Sequence, residues 1–176
     1  MRALALAVAA LALAGCASGP QPTDAPQTLT VASPAFAAGQ PIPREYTCQG
    51  TNHAPPLALP AAPPGAVAYA LAMDDPDAPR GTFTHWTWWN VPASTRALPA
   101  GADIGELGGT EGSNSAGRVG YTGPCPPTGA HHYRFRVFAQ DRGLGLGPGA
   151  GVEELGRALA GRVMAWGELV GTYEKG

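Results

Sequence analysis

Charge is what this chain has least of. Only 14% of its 176 residues are charged, eleven basic against thirteen acidic, for a formal net charge of -2. The basic residues never gather into a run, which argues against nucleic-acid binding, where clustered Lys and Arg must meet the phosphate backbone. Long apolar runs are missing as well: the N-terminal stretch Ala3 to Ala12 falls short of the roughly 20 residues a bilayer span takes. Serines are few, no HExxH pattern offers a zinc-protease helix, and no internal repeat occurs. Cysteine is limited to three residues, Cys16, Cys48 and Cys125.

What stands at the N-terminus reads as an export signal. Arg2 supplies a positive charge, Ala3 to Ala12 an apolar core, and Leu13-Ala14-Gly15-Cys16 a small-residue end. Leu-Ala-Gly-Cys resembles the lipobox of bacterial lipoproteins, so residues 1–15 are expected to be removed and Cys16 to carry lipid. The competing reading is an ordinary secretory signal cut nearby. Ala17, not aspartate, follows the cysteine, which by resemblance to lipoprotein sorting rules favours the periplasmic face of the outer membrane. Residues 16–27 hold three prolines and no large apolar side chain after the cysteine, the composition of a tether. Residues 28–176, roughly 150, suit one domain with its own core.

With Cys16 assigned to lipid, Cys48 and Cys125 remain as an even pair in an oxidising compartment, and a disulfide between them is expected. Two separate buried thiols are the alternative, since sequence does not show whether the two Cα atoms come within about 7 Å.

The 25 glycines and 19 prolines bound short segments rich in branched and aromatic residues. Strands are expected over Leu29 to Ala32, Val67 to Met73, Phe83 to Val91, Tyr133 to Ala139 and Arg162 to Tyr173. In YRFRVFA, alternation sets Tyr133, Phe135 and Val137 on one face and Arg134, Arg136 and Phe138 on the other. Val152, Leu155 and Leu159 fall on one side of a short helix over Val152 to Ala160. The fold class is therefore mostly β, an antiparallel β-sandwich with a few short helices.

Two polar clusters interrupt this scaffold: Asp74-Asp75-Pro76-Asp77-Ala78-Pro79 followed by His85-Trp86, and Gly123-Pro124-Cys125-Pro126-Pro127 followed by His131-His132-Tyr133. Together with Pro43-Arg44-Glu45-Tyr46-Thr47-Cys48-Gln49-Gly50, Asn52 and Pro55-Pro56-Leu57, they occur in an order that closely resembles the phosphatidylethanolamine-binding protein family, nearest to its bacterial Raf kinase inhibitor-like branch. The resemblance runs from about Phe36 to Tyr173. It implies a β-sandwich with a small anion pocket at one end, lined by Asp75, Asp77, His85, Gly123, Pro124, His131 and Tyr133. Those types fit together: imidazoles donate to anionic oxygens, a neighbouring carboxylate orients a ring, and glycine at 123 would let backbone approach a ligand.

Each residue alone has a plainer explanation. DPDAP is a good turn, His85 in an aromatic strand could be structural, and His131 and His132 point to opposite faces, so one at most serves the site. Zinc on His85, His131 and Asp75 is a competing arrangement, but no close His pair supports it and the family resembled does not require metal. No metal or cofactor is expected. Nor is enzyme activity: Gly112-Ser113-Asn114-Ser115-Ala116-Gly117 misses the GxSxG nucleophile elbow by one residue, and oxidised cysteines offer no thiolate. Departures from the family pattern are His53-Ala54 where a serine is common, Leu59 where tryptophan is frequent, and His132 in place of arginine. Trp88 is a core residue or a neighbour of the pocket. Two functions remain: binding of a small anion or phosphorylated head group, with the membrane reached through the lipid on Cys16, or inhibition of a protein partner, serine protease or kinase, through the pocket rim. If the two histidines hold an anion best when one is protonated, affinity should fall as pH rises past roughly 7, from an ordinary imidazole value near 6.5.

Overall fold

Five strands share one antiparallel sheet in the computed structural model, which describes residues 25–176. Cys16, the export signal and the first part of the tether lie outside the described residues. In chain order the strands are β1 (Leu57–Ala58), β2 (Ala68–Asp75), β3 (Phe83–Pro92), β4 (Ala97–Leu98), β5 (Thr110–Glu111), β6 (Ala130–Gln140) and β7 (Val163–Glu174), with the helix α1 (Val152–Leu159) between the last two. The large sheet runs β5-β3-β2-β6-β7, and β1 pairs with β4 in a small second sheet. A short 3-10 turn covers Arg44–Tyr46.

The central strand β2 is buried along its whole length, because both faces of the sheet are covered. Tyr69, Leu71 and Met73 point into the main core with Tyr133, Phe135, Val137, Trp86 and Trp88, where segments around Val31, Ile42, Leu57 and Leu98 close over them. On the opposite face the residues are small, Ala70 and Ala72, and this lets Trp89, Phe138, Leu155 and Leu159 pack close to the backbone. The helix lands there with Val152, Leu155 and Leu159 inward, as the 3- and 4-residue spacing requires. The Glu154 carboxylate accepts the Gly151 N–H at 2.8 Å and closes its first turn.

The mostly β, antiparallel reading holds, with α1 and the 3-10 turn as the helical pieces among the described residues. The alternation in β6 holds too, although the Arg136 face is buried rather than wet. Leu29 to Ala32 is not a regular strand. It crosses between the sheets: the Leu29 N–H donates to the Trp166 carbonyl at 3.0 Å, while Ala32 bridges to Ala58 of β1, so no ladder with one partner can grow. The crossing requires Gly167, where a Cβ would stand 2.0 Å from the Leu29 carbonyl oxygen. Strands β1, β4 and β5 have two residues each, too few for any periodicity to show in sequence.

Candidate functional site

A β-bulge places the first site residue. Met73 pairs with Trp86 and Asp74 with Thr84, so His85 is an extra residue in β3. In unbroken alternation His85 would oppose Trp86 and Trp88 and point away from the core. The bulge resets the parity. His85 thereby shares the core-side face with Phe83, whose ring centroid lies 4.7 Å away, and with Tyr133, met edge-on at 5.2 Å. Its Nδ1 sits 2.7 Å from the Thr122 carbonyl. A carbonyl only accepts, so Nδ1 carries the proton and Nε2 is left for a ligand. Burial pushes the imidazole below its ordinary value, against the opposing pull of the Thr122 carbonyl and of Asp75 and Asp74.

The second imidazole comes from β6. His131 is buried, and its Nδ1 lies 2.7 Å from Oδ2 of Asp75 at the end of β2. The other oxygen of Asp75 accepts the Asp77 N–H at 2.8 Å, so the turn of DPDAP holds the carboxylate that orients the ring. His132 faces the opposite way, as expected of a neighbour on a strand, and its Nδ1 and backbone N–H both reach Asp77 Oδ2, at 2.7 and 2.8 Å. The His132 hydrogen bond holds the Asp77 carboxyl below the usual carboxylate range. Asp77 thus works at the outer edge of the turn and not in the cavity.

The third wall is the loop after β5. Gly123 N–H donates to Asn52 Oδ1 at 2.8 Å, Cys48 N–H to the Pro124 carbonyl at 3.1 Å, and the Tyr121 hydroxyl to the Tyr46 carbonyl at 2.6 Å. The disulfide is present: Cys48 and Cys125 are bonded, with Cα atoms 5.5 Å apart. Gly123 serves packing rather than ligand approach. A Cβ there would come within 2.6 Å of both Asn52 Oδ1 and the Tyr46 carbonyl oxygen.

Between these three walls opens a cavity of about 500 Å³. Asp75, His85, Gly123 and His131 of the expected residues line it; Asp77, Pro124 and Tyr133 do not. Tyr133 lies beneath His85, fully buried, and burial raises its phenol. Its hydroxyl makes no hydrogen bond of normal geometry, only a looser approach to the Cys125 backbone. Trp88 belongs to the core, its side chain wholly enclosed. Pro126 and Pro127 of the second cluster also line the cavity, as do Thr122, Phe83 and Arg80, which sequence reasoning did not assign to it. Arg80 was the most accessible of these to sequence, being the first cation after DPDAP. Thr122 contributes a carbonyl, which no side-chain pattern reveals.

A metal does not fit these residues as zinc was envisaged. Asp75 already accepts from His131 and Asp77, and among the described residues no group of three His, Cys, Asp or Glu is placed to hold an ion.

Residues 32–174 match the family model described as phosphatidylethanolamine-binding protein. The chain belongs to this family. Among its relatives, the UPF0098 protein PH1269 of Pyrococcus horikoshii is 41% identical over 167 residues, covering 92% of this chain and 82% of the relative. LppC of Mycobacterium tuberculosis, which bears a lipoprotein name, is 43% identical over 155 residues, covering 87% of this chain and 76% of LppC. Of solved structures, the phosphatidylethanolamine-binding protein homologue CT736 from Chlamydia trachomatis superposes with a TM-score of 0.81 at 37% identity, over 85% of this chain and 99% of that one. YbcL of E. coli gives 0.77 at 29% identity, over 84% and 99%. Family membership thus agrees with the order of motifs in the sequence, and the family model spans every wall of the cavity.

Proposed function

We propose that the chain is a non-enzymatic binding protein, exported and held at the periplasmic face of the outer membrane by lipid on Cys16, whose cavity captures an anionic group on His85 and His131. One observation carries this reading. Each imidazole spends Nδ1 on a fixed acceptor, the Thr122 carbonyl or the Asp75 carboxylate, so each offers Nε2 to the same cavity. Arg80 adds a cation to its rim. Family membership supports a binding protein, and the lipoprotein name of LppC supports anchoring.

The surroundings offer no covalent route. Cys125 lines the cavity but is bonded to Cys48. Ser113 donates to the Gly149 carbonyl and Ser115 accepts from Thr84 N–H, so neither hydroxyl stands beside a histidine. Without a positioned nucleophile the site binds and orients.

The soluble domain, residues 25 to 176, should take up phosphate with shifts of the His85 and His131 ring signals in NMR, and His85→Ala should weaken binding at least tenfold while leaving the fold unchanged. Full affinity in His85→Ala would sink the reading. Survival of partner inhibition in that variant would move the function to the rim.

Binding should also be linked to protons. The groups around the His85 ring are Asp75 and Asp74 on β2, His131 and Tyr133 on β6 and the Thr122 carbonyl; burial outweighs them and keeps the ring neutral at pH 7. A neutral His85 presents only a lone pair at Nε2, so an anion must recruit a proton to gain a donor. Affinity is then highest in acid and falls as pH rises through the free-state value of His85, which lies below the ordinary 6.5. The fall thus begins at lower pH than sequence alone suggested. Calorimetry at pH 7 in buffers of different ionisation heat should show net proton uptake; none, with a flat profile from pH 5 to 8, would contradict the mechanism.

A further inference from the structure

The cavity is larger and less polar than an inorganic anion needs. At about 30 Å³ per water molecule, its volume of about 500 Å³ equals roughly 17 waters, and it falls in the range of about 300 to 1,000 Å³ of sites for whole organic ligands. A phosphate ion, with five heavy atoms, would leave most of it empty. Asp75, Arg80, His85, Thr122 and His131 supply the polar groups of its lining, whereas Ala78, Pro79, Phe83, Pro126 and Pro127 make most of the rest apolar. Prolines and an aromatic ring lose little freedom on contact, so this wall is formed in advance.

The cavity also offers an ammonium group little negative charge, since a single carboxylate lines it beside the cation Arg80. Asp75 is the only acidic residue in its lining, and its two oxygens already accept from His131 Nδ1 and the Asp77 N–H. Asp77 is turned outward to His132. An amino head group would find rings and prolines where it needs an anion, and would surrender hydration without return.

We propose that the cavity takes organic anions with a compact apolar body, the anionic group on the histidines and the body against Phe83, Pro126 and Pro127, in preference to inorganic anions and to amino head groups. This rests on the anion-pocket reading and adds the identity of what the anion is attached to. Phe83 is then a specificity-determining residue: its ring touches His85 on one side and lines the cavity on the other.

The test is a series of phosphate monoesters titrated into the whole chain carrying Cys16→Ser, which keeps it unlipidated. At pH 5 each phosphate is mostly singly charged, the second pKa being about 6. The ligands are inorganic phosphate, methyl, propyl, butyl and phenyl phosphate, and phosphoethanolamine, which matches propyl phosphate in size but ends in an ammonium group. Affinity should rise about threefold to fourfold for each buried methylene. Propyl phosphate should bind at least tenfold more tightly than phosphoethanolamine. Phe83→Ser should flatten the alkyl series and Phe83→Leu should preserve it; if the serine variant does not fold, the wild-type series decides alone. Equal affinities along the series, or tightest binding of phosphoethanolamine, overturn this inference and leave the anion pocket standing. Failure of every phosphate to bind overturns the pocket as well.

Discussion

Asp74→Ala should cost the domain about 3 to 5 kcal/mol of stability, the loss expected when one partner of a buried ion pair is removed. Asp74 is 1% exposed and lies between two guanidinium groups. Arg134 Nε donates to its Oδ1 at 2.7 Å, and Arg136 donates to its Oδ2. Truncation removes the one carboxylate that both guanidinium groups share. With a slope of about 1 to 3 kcal/mol per molar urea, the unfolding midpoint should drop by roughly 2 M. Asp75→Asn makes the contrast. Its amide oxygen can still accept the Asp77 N–H, so stability should change by only about 1 kcal/mol, whereas His131 loses its orienting carboxylate and phosphate binding should fall at least tenfold. Equal urea midpoints for the two variants would refute this division of labour between adjacent aspartates.

That division was only half visible in the sequence. Alternation along a strand says that Asp74 and Asp75 face opposite ways, and DPDAP marked Asp75 and Asp77 as polar groups on a turn, but nothing local says which face holds the ligand. The answer lies in long-range pairing: Asp74 meets Arg134 across the β2–β6 ladder, 60 residues away. The same limit applies to His85. Strict alternation along FTHWTWW sends it to the face opposite Trp86, and the bulge that brings it to the cavity follows from the register between β2 and β3, which no window of one strand contains. By contrast, the division of β6 into two faces and the inner side of α1 were legible, because each depends on a period within its own segment. Gly123 illustrates a residue recognised for the wrong physical reason. A glycine beside a ligand loop reads as room for the ligand, yet here the room is filled by Asn52 and the Tyr46 carbonyl.

Reduction of the Cys48–Cys125 disulfide should lower stability by about 4 to 5 kcal/mol, the chain-entropy value for a closed loop of this length, given a sequence separation of 77 residues. Both cysteines are exposed, so a soluble reductant reaches the bond without unfolding the domain. The bond joins the loop that carries Gly123 to Pro127 to the segment after the 3-10 turn, but three hydrogen bonds join the same partners: Tyr121 to Tyr46, Gly123 to Asn52 and Cys48 to Pro124. Below the melting range those contacts hold the cavity wall in place, because a disulfide acts mainly by restricting the unfolded chain. The reduced protein, or a Cys48→Ser, Cys125→Ser double variant, should therefore unfold at a urea midpoint lower by roughly 2 M while binding phosphate within about threefold of the oxidised protein at 25 °C. A collapse of binding in a reduced protein that remains folded would show instead that the bond itself shapes the wall. An unchanged midpoint would mean that the unfolded chain holds these two segments together without it.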